Sequence, residues 1–449
     1  MKFKRLTAFA LLLLTTQLAG AQHRWTLDEC IKYAIEHNIS IQQGMVNIDV
    51  QGIVLEEARK SRLPSFDLML GEQVSFGNYN LSTGVVNNDD IEGKPDSDRR
   101  DDLSYTSARL AMTMPLFNGM ALQNNIKANE ALLQAATANL ENARKDIGIQ
   151  ISTFYLECLY YQSLADVAEA QVGVSKKLLE RATLLVSQGR RPRSEQAEAE
   201  SQLANDEYML ADAKGQAVLA RVTLGHLLNL PEVDDFVLAG LDEPFYDLSL
   251  LDPNLIYNNV VEDYPSVRAA KSRIDAGKYQ LKVAHASYYP QIALQGYIST
   301  FYVKLFQREL NVTKSSLNYF RDLMNEVIGI QINVPIYHHR EARNKVRRAN
   351  LSVRNMELML DDARQTLRKE IQTAYYNAEV SRNKLEAADK AVTSSLITVG
   401  YEEESYSAGR SNIFDLQSAQ QKSLQAQQNA VRAKYEYLIR QRILDFYCK

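Results

Sequence analysis

Cysteine is scarce: Cys30, Cys158 and Cys448 are the only three in 449 residues, too few for a disulfide framework in an exported chain of this length. The six histidines form no His-Glu-x-x-His pattern, and no Gly-x-Ser-x-Gly or phosphate-loop motif occurs, so no catalytic site can be assembled. Neither charge sign dominates: 51 Lys plus Arg face 55 Asp plus Glu, which excludes nucleic acid as the main partner. No run of eighteen apolar residues follows the first twenty-one residues, so a spanning helix is excluded as well. With 45% hydrophobic and 24% charged residues the chain is neither collagenous nor wholly disordered.

The N-terminus carries Lys2, Lys4 and Arg5, an apolar stretch from Leu6 to Leu14, and Ala19-Gly20-Ala21 before Gln22. This is the pattern of a secretory signal over residues 1–21, with an apolar stretch too short to remain as a mature membrane helix. Cys30 is not at the cleavage point, so no lipid-anchored cysteine is indicated. Any membrane role must therefore come from β-strands or a surface contact.

The mature chain lines up against itself. Asn38 to Ile41 faces Tyr264 to Val267, and Ala58 to Phe66 faces Ala284 to Ile292, both at a shift of 226. Met114 to Phe117 then faces Val334 to Tyr337, and Ser187 to Arg190 faces Ser407 to Arg410, both at 220. The difference of six is a loop insertion in the first half. Two repeats follow, 22–229 and 252–449, joined by a linker at 230–251.

Proline separates the elements, because it breaks a helix interior. None of the ten lies between Pro115 and Pro192 or after Pro335. Residues 119–187 carry apolar residues at steps of three, four and seven (Leu122, Ile126, Leu133, Leu140, Ile147), the mark of a coiled-coil helix, and 338–406 repeat it. Gly189 and Gly409 end these helices, and returning helices from Pro192 and Asn412 complete two hairpins. Shorter helices open each half, one from Thr26 with Glu29 as a capping box and one near Asp252 and Pro253. Strands of period two are expected after Pro64, at 103–114, at 291–303 and at 327–334, with polar loops at Gly77–Asp102 and about Lys304–Asn325. Phe76, Tyr105, Tyr297, Phe301 and Tyr302 are candidates for interfacial aromatic girdles.

Four amphipathic strands are long enough to cross a bilayer but too few to close a barrel, so several chains must pool them. Two chains would give eight strands and a filled interior, three would give twelve and a passage. The repeat, the Met-Pro-Leu-Phe-Asn-Gly motif at 114–119, its partner Val-Pro-Ile-Tyr at 334–337 and the segment Tyr406 to Asp415 resemble the TolC family of outer-membrane efflux proteins. The resemblance implies a mainly α fold with a membrane β-barrel. A homotrimer would build a twelve-stranded barrel in outer-membrane lipid and a tunnel of coiled-coil hairpins (an α-barrel) in the periplasm. It further implies docking to a periplasmic adaptor and an inner-membrane transporter, with no cofactor.

By the same resemblance the hairpin tips form a gate. Asp415 matches one acid of the family's entrance ring, while the second position holds Ser418. Tyr406 matches a gate tyrosine and Glu195 its acidic acceptor; the basic gate position holds Ser411, with Arg410 one place earlier. A second reading stands beside this one, since Glu195 and Asp415 also lie where a carboxylate favours a helix start. Gly189 and Gly409 read as turn formers. Arg190, Arg191 and Arg193 make the first tip basic, either an adaptor-docking surface or a solvated turn. The His338-His339 pair is no metal site, because neighbours at i, i+1 do not share a helical face. Rival readings are a periplasmic coiled-coil adaptor or scaffold, and an enzyme with helical arms.

Overall fold

The computed structural model describes residues 24–76, 103–231, 236–240, 252–306 and 321–448. The signal segment, the Gly77–Asp102 connection, most of the 230–251 linker and most of the second loop lie outside the described residues. The chain runs β1 (Arg24–Trp25), α1 (Leu27–His37), α2 (Ile39–Lys60), β2 (Ser65–Ser75), β3 (Leu103–Phe117), α3 (Ala121–Ser187) and α4 (Arg193–Leu227). The second half runs β4 (Val237–Leu238), α5 (Pro253–Val260), α6 (Pro265–Ala286), β5 (Gln291–Leu305), β6 (Asn325–Asn333), α7 (Glu341–Ser407) and α8 (Ile413–Cys448). Two compact units result, and each draws on both sequence halves: one holds residues up to Asp49, Ala135–Lys271 and from Leu358 on, the other Val50–Gln134 and Ser272–Glu357.

The first unit is helical. Its starts are capped as the sequence dictates: Thr26 Oγ1 accepts from Glu29 N–H at 3.3 Å while Glu29 Oε2 accepts from Thr26 N–H at 2.9 Å. Asp252 Oδ1 accepts from Asn254 N–H at 2.8 Å, with Pro253 at the first helical position. α3 and α7 are each 67 residues, uninterrupted because proline is absent from both. Both end alike. Gly189 (φ +68°) and Gly409 (φ +73°) take the left-handed conformation that closes a helix. The N–H of Arg190 bonds Leu185 O at 2.9 Å, and that of Arg410 bonds Ser405 O at 2.9 Å.

One core of this unit surrounds Tyr155, packed among Cys30, Ala34, Ile41, Ile147, Ile151, Cys158, Leu224 and Leu228. Its hydroxyl escapes the apolar surroundings through two backbone carbonyls, Ala239 O at 2.7 Å and Trp25 O at 3.0 Å, beside the β1–β4 pair. The repeat builds a second core around Ile371, with Ile256, Val261, Tyr264, Val267, Leu367 and Leu444. Cys30 and Cys158 are buried, and burial pushes both thiols up to about 12.

The second unit is built on an antiparallel sheet of order β2-β3-β5-β6. Register sets its faces. Phe66, Leu68 and Leu70 pair with Met112, Leu110 and Ala108, which pair with Gly296, Ile298 and Thr300; Gly296 pairs with Ile328. Toward the helices this face is apolar and largely exposed, while Glu72, Thr106 and Glu326 lie on the same face farther along the strands. The opposite face carries Asp67, Gln73, Ser107, Gln295 and Gln331, with the Arg109 guanidinium 4.1 Å from the Tyr297 ring centroid.

Register also corrects the girdle expectation. Tyr105, Tyr297 and Phe301 lie on the polar face, with Tyr105 stacked on Phe301 at 5.5 Å. Tyr302 pairs with Thr106 and shares the apolar face. β3 and β5 mix small, polar and aromatic residues, so their phase is set by their neighbours rather than by their own alternation.

All four strands join their helices at one end of the sheet. The turns there are tight: Gly119 (φ +62°) and Met120 (φ +66°) link β3 to α3, and His339 (φ +46°) and Arg340 (φ +64°), 220 residues on, link β6 to α7. That is why α7 begins at Glu341 rather than at 338. A Cβ on Gly119 would lie 2.9 Å from Tyr289 Cβ and 3.0 Å from Ala286 O.

Two outcomes test this fold. Gly119→Ala should destabilise by about 3 kcal/mol, from left-handed strain plus the clash, while His339→Gly should stabilise by roughly 1 kcal/mol, both read from urea unfolding midpoints. At pH 8 iodoacetamide should label exposed Cys448 in the folded protein and reach Cys30 and Cys158 only after denaturation.

Candidate functional site at the hairpin tips

Four helices converge where the hairpins turn. Leu178 and Ala182 of α3, Ala199 of α4, Tyr406 of α7, and Ile413 and Leu416 of α8 form one apolar cluster. Tyr406 is 2% exposed, and its hydroxyl donates to Glu195 Oε2 at 3.2 Å, joining α7 to the first turn of α4. Burial, then the neighbouring Glu195 carboxylate, push the phenol above its ordinary value, which keeps it a protonated donor.

The sequence reasoning placed Arg191 on a basic tip. Its side chain is only 21% exposed: Nη1 reaches Glu195 Oε1 at 3.1 Å, and the guanidinium lies 5.0 Å from the Tyr406 ring centroid. Arg191 Nη2 also faces Ser411 O at 3.5 Å, so one side chain touches both tips. Arg181, which sequence reasoning passed over, donates to Ser407 Oγ at 2.9 Å and lies 5.7 Å from the same ring. The turn geometry after Gly189 decides which of the three neighbouring basic side chains, Arg190, Arg191 or Arg193, folds inward, and no composition pattern encodes that. Arg190 and Arg193 are exposed, as are Arg410, Gly189 and Gly409.

Asp415 is exposed in the first turn of α8. Its N–H is accepted by Asn412 Oδ1 at 2.9 Å, so Asn412 caps this helix. Ser418 is half-buried, and Ser411 Oγ has no hydrogen-bond partner among the described residues.

Asp206 is a buried carboxylate that sequence reasoning also missed. It lies seven residues after Ala199, and its partner Ser175 lies seven before Ala182, so the pair occupies a further layer of the apolar seam that holds Tyr406. Gln202 Nε2 at 2.9 Å and Gln171 Nε2 at 3.3 Å complete its donors, and Gln421 of α8 bonds Gln202 Oε1 at 3.1 Å. The sevenfold spacing is the signal that could have found it.

Among the described residues the tip holds hydrogen bonds between helices, one local Arg191–Glu195 ion pair and no nucleophile–base pair, which suits a movable contact and not a reaction. The profile of the family described as outer membrane efflux protein matches residues 30–230 and 256–447. The chain belongs to that family. It is 20% identical to the outer membrane efflux protein BepC of Brucella suis over 97% of this chain and 88% of that protein. Its fold is similar to the CmeC outer membrane channel of Campylobacter jejuni, at a TM-score of 0.77 and 15% identity over 94% of this chain and 85% of that one. It also resembles the MtrE outer membrane channel of Neisseria gonorrhoeae solved in its open state, at a TM-score of 0.73 and 20% identity over 94% and 88%.

The protein is thus an exit duct of the outer membrane with a helical tunnel in the periplasm, and it is not an enzyme. The adaptor and enzyme readings fall with that membership.

Tyr406→Phe should remove one interhelical hydrogen bond and leave Glu195 on Arg191. Amide exchange at Gly409 and Arg410 is expected to rise about fivefold, the equivalent of roughly 1 kcal/mol, while amides around Tyr155 keep their protection.

Proposed function

We propose that three copies of this chain pool their sheets into one twelve-stranded barrel and their hairpins into one tunnel, passing solutes received from an inner-membrane transporter through a periplasmic adaptor. The observation that carries this reading is the four-stranded sheet, largely apolar on one face and, among the described residues, without a strand partner along the outer edges of β2 and β6. Lipid cannot satisfy such edges, and a neighbouring copy can. Each chain would contribute two repeats, 22–229 and 252–449, about the linker 230–251. The exposed tip residues Gly189, Arg190, Arg193 and Gly409 are the docking surface for the adaptor.

The gate in this reading is the Tyr406–Glu195–Arg191 contact. Arg191 is assigned to the latch and not to docking, because its guanidinium is engaged by Glu195 and Ser411. Asp415 stands exposed in the first turn of α8, and three copies would ring the entrance with negative charge; Arg410 and Ser411 line the preceding turn, and Ser418 follows within α8. That the similar MtrE channel was solved in an open state supports a duct with more than one arrangement.

Planar-bilayer conductance of the detergent-purified protein tests the proposal. The wild type should give small, rare openings, the double variant Tyr406→Phe with Glu195→Gln should open wider and longer, and Asp415→Asn should weaken cation preference. A protein that stays soluble without detergent and never conducts would sink the barrel.

A further inference from the structure

The chain changes character sharply where the strands meet their helices. The apolar face of the sheet continues past β6 as exposed Val334 and Ile336, and exposed Tyr288, Tyr289 and Tyr337 stand at the same border. Immediately beyond come Arg340, Arg343, Lys345, Arg347 and Arg348, with Glu341 the only acid among them. All five cations are exposed, and none forms an ion pair with a described residue. Nearby cations do: Arg59 meets Glu130 at 2.8 Å and Arg354 meets Glu357 at 3.2 Å.

This run opposes helix stability. Cations in the first turn of a helix work against the macrodipole, and like charges three and four apart, such as Arg343 with Arg347 and Lys345 with Arg348, repel. Ala342, Val346, Ala349 and Val353 form the inward stripe of the same helix, so the charges occupy its outer faces. The surrounding segments share the bias. Residues 50–64, 121–134, 272–290 and 338–357 hold thirteen Lys and Arg against six Asp and Glu, in a chain whose whole has an acidic excess.

An exposed apolar band, then tyrosines, then unpaired cations is the order a protein meets on leaving a bilayer through its headgroups. We infer that this basic collar binds the phosphates of anionic glycerophospholipids in the periplasmic leaflet. Arg343 to Arg348 rise only about 8 Å along the helix, within roughly one Debye length of the headgroup plane. Each Lys or Arg near such a surface adds attraction that salt weakens.

The inference rests on the outer-membrane placement of the sheet. Full-length protein in neutral detergent is incubated with phosphatidylglycerol, phosphatidylcholine or lipid A, and retained lipid is measured after gel filtration. Phosphatidylglycerol should be retained over phosphatidylcholine and released by 1 M salt. The combined Arg343→Gln, Lys345→Gln, Arg347→Gln and Arg348→Gln variant should retain it at least about tenfold less. Lys390→Gln with Lys422→Gln, remote on α7 and α8, should match the wild type, and Arg343→Lys with Arg347→Lys and Arg348→Lys should keep the lipid. Equal retention of the two phospholipids, or salt-insensitive retention, overturns the collar without any variant having to fold. Lipid A lost from the quadruple variant while phosphatidylglycerol stays would overturn the leaflet assignment. A chain that needs no detergent would instead fail the membrane placement itself.

Discussion

A strand edge cannot face hydrocarbon. Each unpaired N–H or C=O there costs several kcal/mol, and β2 and β6 each present a whole row that no described residue pairs. One face of the same sheet is largely apolar, so water is no better a solvent for it. In the proposed assembly one solution serves both demands: lipid covers the face, and another copy covers the edge. The remaining architecture accommodates that constraint. Two hairpins per chain supply strands in pairs, and all four strands hand over to helices at one end, where the backbone groups return to internal pairing.

The helical part answers a different problem. Helices as long as α3 and α7 cannot be held by one compact core, so their partners must run alongside them. Small residues such as Ala182, Ala199 and Ala419 make close seams, and polar layers such as Ser175–Asp206 interrupt them. A polar layer adds little net stability, but a slipped register would leave its carboxylate buried without donors. We read Asp206 as a register pin on that ground.

Most of this was legible in the residues. Absence of proline and heptad spacing determine where long helices run, and Gly189 and Gly409 end them because only glycine takes their φ without strain. The alternation of β6, Ile328 to Ile332 against Gly329 and Gln331, declares its faces. β3 and β5 do not, and pairing with β2 and β6 fixes their phase, which puts Tyr105, Tyr297 and Phe301 on the polar face and only Tyr302 on the apolar one. The start of α7 shifted because His339 and Arg340 adopt a conformation that histidine and arginine disfavour, a demand of the turn and not of local propensity. At the tip, Tyr406 and Glu195 were foreseen together by resemblance, whereas the inward turn of Arg191 depends on loop geometry alone.

The magnitudes suit a latch more than a lock. The Tyr406–Glu195 bond contributes about 1 kcal/mol and the half-buried Arg191–Glu195 pair a similar amount, so one tip is held by roughly 2 kcal/mol. Reversing a strongly biased two-state equilibrium needs about 5.5 kcal/mol. A single tip falls short of that. In the proposed trimer three identical latches would sum to about 6 kcal/mol if they open together, which is enough to hold the entrance closed at rest. It is also small enough for a docked partner to overcome with a few differential contacts per chain. A stronger device, such as a fully buried ion pair, would resist opening; a weaker one would leak.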